Sequence, residues 1–81
     1  MNQRRKSYPG GGVARKIWSQ SGNPPKWVSD SLGIERWQLR EAIHKIKASN
    51  GMGPADEIGI WDDGCVTDWR GDFCGDIRDE I

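Results

Sequence analysis

The chain has 81 residues, in which twelve lysines and arginines balance twelve acids, and it holds five tryptophans, two cysteines and one histidine. That length allows one thin-cored domain at most, and with no run of eighteen apolar residues it excludes a membrane-spanning helix. The basic N-terminus has no apolar stretch behind it, so it does not read as a signal peptide.

The neutral total hides a division. Residues 1–50 hold ten Lys/Arg against three acids, and residues 51–81 hold two arginines against nine acids. This fits a basic surface for a polyanion carried on an acidic platform. It fits equally a solvated surface whose two halves attract each other. Cys65 and Cys74 are too few for a disulfide framework or a structural zinc site. They read as small buried hydrophobes on neighbouring strands or as one cross-strand bridge.

Residues 1–12, with Arg4-Arg5-Lys6 and Pro9-Gly10-Gly11-Gly12, read as a basic, glycine-rich arm or linker, and residues 13–81 as one small domain. Val13–Ser19 is expected to form a short helix with Val13, Ile17 and Trp18 on one side, broken by Gly22-Asn23-Pro24-Pro25. A second helix is expected over Pro25–Leu32, since proline suits a first helical turn, with Gly33 ending it. The third and firmest helix is predicted from about Ile34 to Ser49. Leu39, Ala42, Ile43 and Ile46 form its apolar stripe, and Asn50-Gly51 stops it. After the Met52–Ala55 loop the period falls from 3.6 to 2. Ile58 and Ile60 open a strand, Asp62-Asp63-Gly64 makes a hairpin turn, Cys65–Asp68 is a second strand, Arg70-Gly71-Asp72 turns again, and Phe73–Ile77 is a third. Arg78–Ile81 reads as a loose tail. The expected class is α+β: two to three N-terminal helices packed on a C-terminal antiparallel meander of three to four strands.

The single histidine, His44, lies on the third helix, away from the apolar stripe. At about 100° per residue its flank gathers Arg40, Lys47, Arg36 and Trp37, while Lys45 points elsewhere. Trp37 either covers a neighbouring element or offers a stacking surface for a base. Histidine titrates near neutrality, and cations beside it suit work on a phosphodiester. The chemistry that fits is metal-independent RNA cleavage: a base takes the ribose 2′-OH proton, the oxygen attacks phosphorus, cations stabilise the charge that grows there, and an acid protonates the leaving oxygen. His44 is the acid or base, and Arg40 and Lys47 handle the phosphate. Thr67 and Lys45 are candidates for the second proton transfer. No cofactor is expected. One histidine cannot make a histidine-metal nuclease motif, Asp62-Asp63-Gly64 does not continue into a calcium loop, and no phosphate-cradling glycine motif is present.

Two other classes compete. Trp27-Val28-Ser29-Asp30-Ser31-Leu32-Gly33-Ile34, followed by Leu39 and Ile43, has the rhythm of a helix-turn-helix, with Arg36, Gln38 and Arg40 facing duplex DNA. A non-catalytic interaction domain, its charged halves docked on each other, is the third reading.

Leu32-Gly33-Ile34, Leu39, Ala42-Ile43-His44 and Ile46-Lys47, then a glycine-rich loop, a strand, Asp63-Gly64, Val66-Thr67-Asp68, Gly71-Asp72 and Gly75-Asp76-Ile77, resemble the C-terminal nuclease domains of bacterial polymorphic toxins. These are the tips of Rhs and contact-dependent inhibition proteins. The resemblance covers about residues 26–80, and the order of elements is similar to the fold shared by barnase, EndoU, the tRNase colicins and RelE. It implies a ribonuclease directed at tRNA or other structured RNA and neutralised by an acidic immunity protein. The domain would be delivered as the tip of a larger toxin and would act in the target-cell cytoplasm. In outline it is similar to the colicin D type, which pairs a helix histidine with a strand Ser-x-Trp. Thr67-Asp68-Trp69 would take that strand part, with Trp69 touching RNA beside Arg36, Trp37 and Lys45, although the lysines here follow the histidine instead of preceding it.

Overall fold

The computed structural model describes residues 14–81, so the glycine-rich arm and Val13 lie outside the described residues. The elements run β1 (Lys16–Gln20), α1 (Lys26–Leu32), α2 (Arg36–Ser49), β2 (Ile58–Trp61), β3 (Cys65–Asp68) and β4 (Phe73–Asp76), ending in a 3-10 turn over Ile77–Glu80. The four strands form one antiparallel sheet in the order β1-β2-β3-β4. The α+β class holds, with two α-helices among the described residues.

The expected first helix is instead an edge strand. Lys16 pairs with Trp61, Trp18 with Ile60 and Gln20 with Ile58, with a bulge between Lys16 and Trp18. A bulge sets two residues against one and breaks the period-two alternation. Trp18 is thereby buried in the core, and its neighbour Ile17 also packs against it. Two consecutive inward apolar residues are what made the segment look helical.

Helix α1 closes with a Schellman motif. Gly33 takes a left-handed φ of 72°, its N–H donates to the Asp30 carbonyl, and the Ile34 N–H donates to the Ser29 carbonyl. Helix α2 begins on a capping box: the Glu35 N–H donates to Gln38 Oε1 at 2.9 Å, and the Glu35 side chain accepts from the Gln38 backbone. Its far end is tied to the sheet, because Asn50 Nδ2 donates both to the Ile46 carbonyl and to the Cys74 carbonyl of β4.

The apolar stripe of α2 (Leu39, Ala42, Ile43 and Ile46) packs with Ile58, Ile60 and Val66 of the sheet and with Val28 and Leu32 of α1. The last strand ends at Asp76, and Ile77, expected to close it, instead opens the 3-10 turn and joins this core at 1% exposure, so Arg78–Glu80 is held in a turn where a loose tail was expected. The Ile77 N–H donates to the Gly64 carbonyl at 2.8 Å, and the Asp76 side chain caps the 3-10 turn through the Arg78 N–H. The hairpin at Asp62-Asp63-Gly64 forms as read, with Gly64 at φ 95°. Cys65 and Cys74 form no disulfide. The register sets Cys65 opposite Asp76.

Gly59, Trp61 and Thr67 alternate onto the sheet face opposite α2. The Trp61 indole N–H donates to Thr67 Oγ1 at 3.1 Å, and the Lys16 ammonium lies 5.9 Å from the indole centroid. A β-carbon at Gly59 would come within 2.9 Å of both Lys16 Cδ and Thr67 Oγ1. The lysine stem can move, but the buried hydroxyl cannot. Gly59→Ala is therefore expected to cost about 1–3 kcal/mol, read as a lower urea midpoint at unchanged slope.

Candidate active site

Helix α2 builds most of the site alone. Trp37, Arg40, Glu41 and His44 follow the i, i+3, i+4, i+7 spacing that aligns side chains on one helix face. They line an open cleft of about 520 Å³ together with Asn23 from the β1–α1 loop. The capping box fixes the start of this face, and the buried stripe on the other side of the helix sets its rotation. Trp37 is 62% exposed, so it does not serve the core, and its ring is available to a ligand. The sequence-based flank around His44 is thus assembled in its Trp37, Arg40 and His44 members.

The structure places the other predicted site residues elsewhere. Lys47 is 5% exposed, and its ammonium donates to the Pro54 carbonyl at 2.7 Å. Instead of offering a phosphate contact, it fastens the loop after α2, which Met52 N–H to Lys47 carbonyl (2.8 Å) and Gly53 N–H to Asp56 Oδ2 (2.8 Å) also hold. Lys47 and Pro54, with His44, Ala48 and Met52, form a small recess of about 60 Å³ beside the main cleft. Thr67 is fully buried and accepts from Trp61, so its hydroxyl does not reach a substrate and it is not a proton-transfer group. Trp69 is 72% exposed in the β3–β4 turn, with the Arg70 guanidinium 5.5 Å from its ring centroid, and it lines none of the recesses around His44. Arg36 is exposed on α2 but does not line the cleft. Lys45 lines a separate recess on the far side of Trp37.

Glu41 and Asn23 are the residues that sequence reasoning missed. Glu41 was legible, since it falls four after Trp37 and three before His44 on the same face. Asn23 was not, because only the path of the β1–α1 loop brings it to α2.

Burial holds the Lys47 ammonium below the usual lysine range, with a smaller opposing pull from Asp56. The unfolded chain therefore keeps a proton through a window in which folded Lys47 has lost it, and there the Lys47 contribution to stability rises with pH. Cys74 acts in the opposite sense. Burial first, then Asp68 and Asp72, push its thiol up, so the unfolded thiol ionises first and the Cys74 contribution falls as pH climbs. Urea denaturation between about pH 8 and 11 is expected to show the rising component alone in Cys74→Ala and the falling component alone in Lys47→Met.

Among the described residues no group of three or more His, Cys, Asp and Glu side chains is arranged to hold a metal ion, and no helix is long and apolar enough to cross a membrane. The cleft thus brings together an imidazole, a carboxylate, a guanidinium, an amide and an indole face. No family model, curated protein or solved structure matches the chain.

Proposed function

We propose that this domain is a metal-independent endoribonuclease that cuts by 2′-OH transesterification. The observation that carries this reading is the shared cleft, which sets His44 beside Glu41 and Arg40. It gathers two proton-transfer groups of different kinds and a planar cation. A carboxylate is the natural proton acceptor at neutral pH, and an imidazolium can supply a proton. Glu41 takes the ribose 2′-OH proton as O2′ bonds to phosphorus. His44 gives a proton to the departing 5′-oxygen as the P–O5′ bond breaks, leaving a 2′,3′-cyclic phosphate. Arg40, whose fork matches two phosphoryl oxygens, stabilises the charge on the pentacoordinate phosphorus. Trp37 stacks a base at the lip. Glu41 replaces Thr67 and Lys45 as the second proton-transfer group.

The resemblance to toxin tips supports the same reading and extends it. The domain would be carried at the end of a larger delivered protein, would act on tRNA or other structured RNA in the target-cell cytoplasm, and would be silenced by an acidic immunity partner that covers the cleft. The test is incubation with total RNA in EDTA, followed by mapping of fragment ends. Cleavage that survives chelation and leaves 2′,3′-cyclic phosphates is expected; intact RNA overturns the reading.

The α1–Gly33–α2 arrangement favours one second reading, a helix-turn-helix that presents Arg36 and Arg40 to duplex DNA. Salt-sensitive binding of duplex DNA without RNA cleavage would establish it.

A further inference from the structure

Asn50 and Gly51, which end helix α2, carry a reactivity that the cleft does not use. Of the three asparagines in the chain, Asn2 precedes Gln3, Asn23 precedes Pro24, and Asn50 alone precedes a glycine. A peptide nitrogen can attack the side-chain carbonyl of the asparagine before it. Proline has no N–H to lose in that step, and a side chain on the attacking residue hinders the approach. Glycine leaves the nitrogen open and its backbone free to turn. Here the bond that forms joins Gly51 N to Asn50 Cγ, the Gly51 nitrogen gives up its proton, and Nδ2 leaves as ammonia. Water then opens the cyclic imide at either carbonyl. One opening yields aspartate. The other yields isoaspartate, in which the main chain runs through the former side chain.

The fold occupies both reacting groups. Asn50 Nδ2 donates to the Ile46 carbonyl at 2.7 Å and to the Cys74 carbonyl of β4 at 3.0 Å. Two carbonyl partners use both amide protons, which fixes the orientation of the amide. The Gly51 N–H donates to the Ala48 carbonyl at 3.3 Å. Attack on Cγ therefore needs the last turn of α2 to open and Nδ2 to leave β4. The same two bonds define what conversion destroys. A carboxylate has no N–H to give, so the Ile46 and Cys74 carbonyls lose this donor and face a negative charge instead. That charge stands at the helix end where the dipole is already negative.

We infer that Asn50 is a deamidation site which the native fold holds closed, and that its conversion releases the end of α2 from β4. The loss of ammonia is not reversed, so an opening of this helix end that proceeds to reaction leaves a molecule unable to restore the tie. The site stands apart from the cleft and does not depend on the endoribonuclease reading.

The experiment ages the purified protein at mildly alkaline pH, in buffer and in urea, and locates the exchange of amide for acid by peptide mass spectrometry. Conversion is expected at Asn50 and not at Asn23. It should run roughly ten- to a hundredfold more slowly in buffer than in urea, because it needs an opening that costs more than fraying and less than global unfolding. Gly51→Asn should slow it in both. A β-carbon at that position meets nothing within 4 Å, and asparagine tolerates the φ of 68°, while its side chain hinders the attack. Asn50→Asp, and the aged fraction separated by its extra negative charge, should melt about 5–15 °C below the parent. Amide exchange should quicken more in Phe73–Asp76 than in Ile58–Trp61. The aged fraction keeps the comparison open should Asn50→Asp not fold. Equal rates in buffer and urea overturn the guarding role of the fold, and an unconverted Asn50 in urea overturns the site. A parent-like melting temperature in both Asn50→Asp and the aged fraction overturns the release of α2 from β4.

Discussion

Alanine at position 44 is expected to lower RNA cleavage by roughly 10²- to 10⁴-fold while leaving stability within about 0.5 kcal/mol of the parent. The rate effect follows from the placement of the imidazole. His44 is exposed on α2 and shares its cleft with Arg40 and Glu41, so its removal takes away the proposed proton-transfer group and little packing. Glu41→Gln should produce a loss of the same order. The double variant should lose much less than the product of the two, because paired groups that act on one transition state are strongly non-additive. The measurement is single-turnover cleavage of one RNA in EDTA, with melting temperatures recorded on the same preparations. Undiminished cleavage by His44→Ala would remove the imidazole from the chemistry.

The largest loss of stability is expected from Leu39→Ala. Leu39 is fully buried, on the side of α2 that faces both the sheet and α1. Truncating a leucine at such a position costs about 2–5 kcal/mol, against a total of about 4–12 kcal/mol for a chain of this size. Much of the margin goes with one side chain, because the core has no second layer to share the cavity. The urea midpoint should fall sharply at unchanged slope. Activity should fall too, but for a different reason than in His44→Ala: cleavage per folded molecule should survive at low temperature, since Leu39 does not line the cleft. A midpoint unchanged by Leu39→Ala would contradict the α2 packing described above.

What could be read from the sequence divides along the same physical lines. Helix α2 was legible because its apolar stripe, its stop at Asn50-Gly51 and its length all agree, and the hairpin at Gly64 because a positive φ leaves few alternatives to glycine. Strand β1 was not, since the bulge turns Ile17 and Trp18 inward together and imitates a helical stripe. The C-terminal turn was missed because alternation carried the third strand through Ile77 and left only charged residues before Ile81, whereas the turn is decided by the packing of Ile77 against α2 and the β2–β3 hairpin. In the site, helical geometry was enough for Trp37, Arg40 and His44. Lys47 was misread as a phosphate ligand. It lies four after Ile43 and eight after Leu39, at the border of the apolar stripe, and that position is the signal of its burial. Thr67 was put forward as a second proton-transfer group for want of another histidine, and strand alternation beside Gly59 puts it under Trp61 instead.

The edge position of β1 has a consequence for how the molecule assembles and comes apart. Every other strand pairs with a neighbour across a short turn, but β1 meets β2 only after both helices intervene; Ser19 and Glu57, which hydrogen-bond across that gap, are 38 positions apart. Closing so long a loop costs entropy before any contact is gained. The helices and the three-stranded meander can therefore form first, with β1 arriving last. In the reverse direction β1 is the segment that opens at the lowest free energy, so amide exchange should be fastest in Lys16–Gln20 among the strands. Each opening uncovers Trp18 and the unpaired edge of Ile58–Trp61, an apolar strand able to recruit another. A small domain with its least secure strand at the start of its fold thus carries its main association hazard at the end where its chain enters.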